Sequence, residues 1–128
     1  MRHGPNCIQA SLCILFLCSF TLTTGANGLE PTQWAPIMEV FATADAACPP
    51  PPNGIVFVGS SSIVFWRTLH HDLAPLTVIN RGFGGSTMKD AVHWLDAIAL
   101  RYTPRAVVIY EGDNDVALGI SPEEILFD

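Results

Sequence analysis

Positive charge is scarce in this 128-residue chain: six Lys and Arg stand against twelve Asp and Glu, a net charge of -6. Beyond Arg2 the cations are scattered, at Arg67, Arg81, Lys89, Arg101 and Arg105. Nucleic-acid binding needs a basic face, so that class of function is excluded. Long apolar runs are also missing. The candidate, about Ala10 to Leu22, falls short of the roughly 20 residues that a membrane span needs. There is no internal repeat. Histidine occurs four times, at His3, His70, His71 and His93, and nowhere after Asn114. Of four cysteines, Cys7, Cys13 and Cys18 fall in the first 28 residues and only Cys48 lies beyond them.

Those first 28 residues do have an order. Arg2 and His3 precede the apolar stretch, and Thr24, Gly25, Ala26, Asn27 and Gly28 follow it. A basic start, a short apolar centre and a small-residue exit describe a secretory signal peptide over residues 1–28. Cleavage after Ala26 or Gly28 would give a secreted or periplasmic protein with no stable membrane insertion. The alternative is an uncleaved segment that anchors the chain to a membrane. Cleavage removes three cysteines, and one cysteine cannot form an internal disulfide. Cys48 is therefore expected to be a structural bystander.

Residues 29–54 read as a lead-in helix and a connector. Trp34, Ile37, Met38 and Phe41 share one helical face. Pro49 to Pro52, followed by Asn53-Gly54, then break regular structure. Residues 55–128 alternate. Ile55 to Val58 is an unbroken apolar run, as expected of a strand buried on both faces. Ile63, Phe65, Trp66 and Leu69 suggest a helix packed on the sheet. Leu76 to Ile79 and Ala106 to Tyr110 read as further buried strands. Between them Ser86 or Thr87 caps a helix whose Ala91, Trp94, Leu95 and Ile98 form an apolar stripe. Ser121-Pro122-Glu123-Glu124 opens one more helix with a serine cap, proline at the first turn and a capping-box glutamate. Strand, helix, strand, helix, strand predicts a parallel α/β sheet. Its loops at one sheet edge are Gly59-Ser60-Ser61-Ser62, Gly82-Phe83-Gly84-Gly85 and Gly112-Asp113-Asn114-Asp115. Ligands of open α/β sheets bind at that edge.

These three blocks together resemble the SGNH hydrolases, the GDSL-type esterases and lipases, over roughly Trp34 to Asp128. The likeness is strongest to a branch whose strand ends in Gly-Ser-Ser-Ser-Ile and whose loop reads Asn-Arg-Gly-Phe-Gly-Gly-Ser. Ser60 stands where that family usually has aspartate. The resemblance implies a flavodoxin-like three-layer α/β/α sandwich, truncated after its third strand. It implies Ser61 as nucleophile, with the Ser61 and Gly85 backbone N–H groups and the Asn114 amide as an oxyanion hole. Such donors stabilise the tetrahedral oxyanion of ester hydrolysis, and losing one costs roughly 3–4 kcal/mol in a well-studied protease. The implied substrates are small-molecule, carbohydrate or lipid esters, and no cofactor or metal is implied. Asp113 and Asp115 do not make a calcium loop, because the sixth position counted from Asp113 is Leu118 rather than glycine. The bland reading of Asp113 is a solvated turn. Asp115 is expected to brace the loops by hydrogen bonding.

A serine hydroxyl needs a base. The family's late Asp-x-x-His block is absent, and His70, His71 and His93 lie too far along their helices to touch Ser61. Two explanations fit: a fragment of a complete esterase, or a degenerate homologue without catalysis. A non-catalytic binding module is the rival class. A fragment of this kind is expected to fold marginally and to aggregate through its open sheet edge.

Overall fold

A computed structural model describes residues 30–128. The leader expected over residues 1–28 lies outside them. A 3-10 turn, Pro31–Trp34, leads into helix α1, Ala35–Ala47. Three strands follow, β1 (Ile55–Gly59), β2 (Val78–Gly82) and β3 (Ala106–Tyr110). They form one sheet in the order β2-β1-β3, with both pairings parallel. Helices α2 (Ser61–Phe65) and α3 (Leu69–Asp72) connect β1 to β2. Helices α4 (Met88–His93) and α5 (Leu95–Ile98) connect β2 to β3. After β3 come α6 (Asp113–Ala117) and α7 (Pro122–Phe127). Among the described residues no helix is long and apolar enough to cross a membrane.

The strand periodicity sorts the core into two faces. Val56, Val58 and Ile79 pack with Met38, Phe83, Ala91 and Ile98, beneath α1, α4 and α5. Phe57 and Val78 pack with Ile63 and Leu69, beneath α2 and α3. The result is an α/β fold, a parallel three-stranded sheet with helices on both faces. Arg81 points to the first face, where it pairs with Asp45 of α1 in a nearly buried ion pair. Tyr102 donates to the same carboxylate and accepts from Arg81 Nε at 3.0 Å. That triad pins α1 to the sheet, and burial followed by the bond to Asp45 pushes the Tyr102 phenol up.

Several sequence expectations are corrected. The helix through Ile63 and Leu69 is two short helices, because Trp66 leaves helical geometry at the end of α2. Phe65 consequently faces solvent. The helix through Ala91 and Ile98 likewise divides at Trp94. Of the two caps expected for α4, Thr87 is the one used, in a reciprocal box with Asp90. The second strand begins at Val78 rather than Leu76. β3 is largely exposed rather than buried: β2 and β3 both lie at sheet edges, but α2 and α3 pack on β2 while no helix packs as closely on β3 among the described residues. Finally, Cys48 is disulfide-bonded. The expectation of a lone cysteine rested on removing Cys7, Cys13 and Cys18 with the leader.

Candidate active site

The three strands end level. Gly59 pairs in register with Gly82 on one side and Tyr110 on the other. All three candidate blocks therefore leave the sheet at the same carboxyl edge. In a sheet whose order runs 2-1-3, the crevice beside β1 and β3 is where connections diverge to opposite faces and ligands bind.

Ser61 leaves β1 as the first residue of α2. Ser60 precedes it, buried, and its carbonyl accepts the N–H groups of Ile63 and Val64. The first turn of a helix has N–H groups with no intrahelical partner. That helix sits unusually close to the strand ends. A Cβ on Gly82 would stand 2.6 Å from the Val64 nitrogen, and one on Gly59 would stand 2.5 Å from Ile63 Cγ1 of the same helix. Only glycine at both positions lets α2 settle there.

The loop after β2 carries Gly85, at φ +86°, beside the Trp34 ring. Trp34 also meets Phe83 edge to face, at 5.5 Å between centroids. Phe83 N–H donates to the Gly59 carbonyl at 2.9 Å, which ties this loop to the end of β1. Asn114, on α6, donates from Nδ2 to the Ser86 carbonyl at 2.7 Å. The structure thus joins the second and third blocks directly, by a bond to the residue next to Gly85. The end of β1, two residues before Ser61, is tied to the second block by the Gly59–Phe83 backbone bond, and no hydrogen bond among the described residues joins Ser61 itself to Gly85 or Asn114. Asp115 is wholly buried, and its two oxygens accept the Met88 N–H at 3.1 and 3.2 Å. It braces α6 against the start of α4, as its place in the sequence suggested.

One residue of this edge was given no role from sequence. Glu111 accepts the Ser86 hydroxyl on Oε1 at 2.5 Å, and its Oε2 is buried with no partner. Burial, and secondarily Asp115, Asp90 and Asp113, push its carboxyl up to about 8, against the opposing Ser86 bond. The available signal was its position, the first residue past a strand end at the binding edge. Nothing in the linear sequence says that its side chain turns inward.

The histidines are elsewhere. His70 lines a cleft with Cys48, Thr77 and Val78, at the amino end of β2 and so at the opposite end of the sheet. His71 is 92% exposed beside Asp72. His93 is exposed and meets Trp94 edge to face. Among the described residues no hydrogen bond joins Ser61 to a histidine, and no cluster of His, Cys, Asp and Glu is disposed to hold a metal ion.

No family model matches the chain, and no curated protein matches it. A solved structure described as a "putative platelet activating factor from Streptococcus pneumonia" is similar, with a TM-score of 0.61 at 21% identity. The match covers 75% of this chain and 44% of that one. The chain thus spans less than half the length of that neighbour. At such identity the likeness is one of fold, a parallel sheet flanked by helices.

Proposed function

We propose that this chain carries the nucleophile and oxyanion hole of an SGNH-type serine esterase acting on carboxylic esters. Ser61 Oγ attacks the ester carbonyl and gives its proton to a base. The oxygen that becomes negative is held by the Ser61 and Gly85 N–H groups and by the free N–H of Asn114 Nδ2. Collapse expels the alcohol, and water then releases the acid from the acyl-enzyme. The observation that carries this reading is the bond from Asn114 to the Ser86 carbonyl. That bond holds the Asn114 amide against the residue that follows Gly85, which supports its reading as an oxyanion donor.

The base is the part that the described residues do not place at Ser61. A second reading is a module that binds an ester without cleaving it. The substrate class is small-molecule, carbohydrate or lipid ester, and export by the N-terminal segment completes the proposal. Added imidazole serves as the base in the test. In imidazole buffer the whole chain is expected to hydrolyse p-nitrophenyl acetate faster than Ser61→Ala does in the same buffer. Equal rates, with ester bound and unchanged, support the binding module instead.

A further inference from the structure

Glu111 lies just past the end of β3, at the same sheet edge as the proposed site, and has no part in the reaction as written. Its Oε1 accepts the Ser86 hydroxyl, and the carbonyl of the same Ser86 accepts the Asn114 amide. Ser86 is fully buried. It is therefore gripped at both polar ends, by Glu111 on one side and Asn114 on the other. The second oxygen of Glu111 is buried without a partner. An ionised carboxylate left in that condition is costly, whereas a neutral acid is far less so. The charged groups acting on it are Asp90 from α4 and Asp113 and Asp115 from α6, all acids.

We propose that Glu111 is a positioning residue: as a neutral acid it fixes Ser86, and through the Ser86 carbonyl it sets the direction of the Asn114 side-chain amide. The catalytic consequence rests on the reading of Asn114 as an oxyanion donor; the coupling itself does not. Neutral Glu111 tolerates its acidic neighbours. Ionised Glu111 is repelled by Asp113 and Asp115, which flank Asn114 on α6. The strain then falls on the Ser86–Asn114 bond. Because burial lifts this carboxyl to about 8, the change occurs as pH rises through that value.

The test is carbon NMR of the full-length chain from pH 6 to 9.5, reading the Glu111 side-chain carboxyl carbon and the Asn114 Cγ. Glu111 is expected to titrate near pH 8, with Asn114 shifting at the same midpoint. Glu111→Gln should hold the Asn114 signal at its low-pH position throughout. Ser86→Ala removes only the hydroxyl link, so Glu111 should still titrate while Asn114 no longer follows. The proposal is overturned by a Glu111 midpoint near 4.5, by a flat Asn114 signal, or by an Asn114 shift that persists in Glu111→Gln. None of these readouts needs ester turnover. Coupled titration without any Ser61-dependent hydrolysis sinks the esterase reading alone, and hydrolysis with a flat Asn114 signal sinks this one alone. Where hydrolysis is present, its rate should fall above pH 8 in the wild type and not in Glu111→Gln.

Discussion

Asn114 spends one amide hydrogen on the Ser86 carbonyl and keeps the other. An amide that was held by nothing would sample several rotamers, and each would dilute its value as a prearranged donor. Asn114→Ala should lower Ser61-dependent ester hydrolysis by about 10²–10³-fold, as removal of one oxyanion donor does elsewhere. The comparison is kcat with imidazole present in both samples. Glu111 makes a second prediction, on stability. Its carboxyl is raised in the folded chain to about 8 from an ordinary 4.5. The folded state therefore keeps a proton that the unfolded state has released between those two values. Stability from this group is whole below pH 4.5, falls as pH rises, and levels out above 8. Glu111→Gln escapes that loss. Its melting temperature should exceed that of the wild type by a margin that grows from pH 4.5 to pH 8. A margin that stays constant with pH refutes the assignment. At this scale the sequence told much about chemistry and little about direction. Ser61, Gly85 and Asn114 were named from their blocks, but Glu111 was passed over because inward orientation at a strand end depends on what packs around it.

At the scale of elements, the short helices hold the edge together. α2 is five residues long and gains little from its own hydrogen bonds, since nucleating a turn is unfavourable. Its stability comes from lying against Gly59 and Gly82. Gly82→Ala forces a Cβ into the α2 backbone and should cost about 1–3 kcal/mol, as overpacking generally does. Urea unfolding measures the loss, and the same variant should lose Ser61 reactivity because α2 carries Ser61. Asp115 makes the corresponding brace between α6 and α4. Asp115→Ala leaves the Met88 N–H without its acceptor, at a cost of about 1–3 kcal/mol. Unchanged activity and stability in that variant remove the bracing role. The strands were legible because apolar runs of four or five residues announce themselves. The helices were less so. Nothing in the apolar stripes at Ile63–Leu69 and Ala91–Ile98 shows that Trp66 and Trp94 leave helical geometry. Trp94 donates its indole N–H to the Pro31 carbonyl at 2.8 Å, a contact 63 residues distant that local spacing does not reveal.

Among the described residues, one side of the sheet is covered and the other is open. β1 is central, β2 is overlaid by α2 and α3, and β3 stands at the edge with Val108, Ile109 and Tyr110 exposed. Leu126 and Phe127 on α7 are 83% and 88% exposed. An unpaired strand flanked by apolar side chains is a template for another chain. Sedimentation should show concentration-dependent association of the wild type, and Val108→Lys with Ile109→Lys should reduce it. A monomer that stays monomeric at all concentrations and melts cooperatively contradicts this. The exposure of β3 was hidden in the sequence because an apolar strand reads the same in the centre of a sheet and at its edge.

The central claim is that Ser61, and not Ser60 or Ser62, is the nucleophile of this edge. The most direct measurement is peptide mass spectrometry of the full-length chain after treatment with a fluorophosphonate in imidazole buffer. The account predicts a single phosphonylated residue at Ser61, lost in Ser61→Ala and weakened in Asn114→Ala. No adduct, or an adduct that distributes among Ser60, Ser61 and Ser62 and survives in Asn114→Ala, contradicts it.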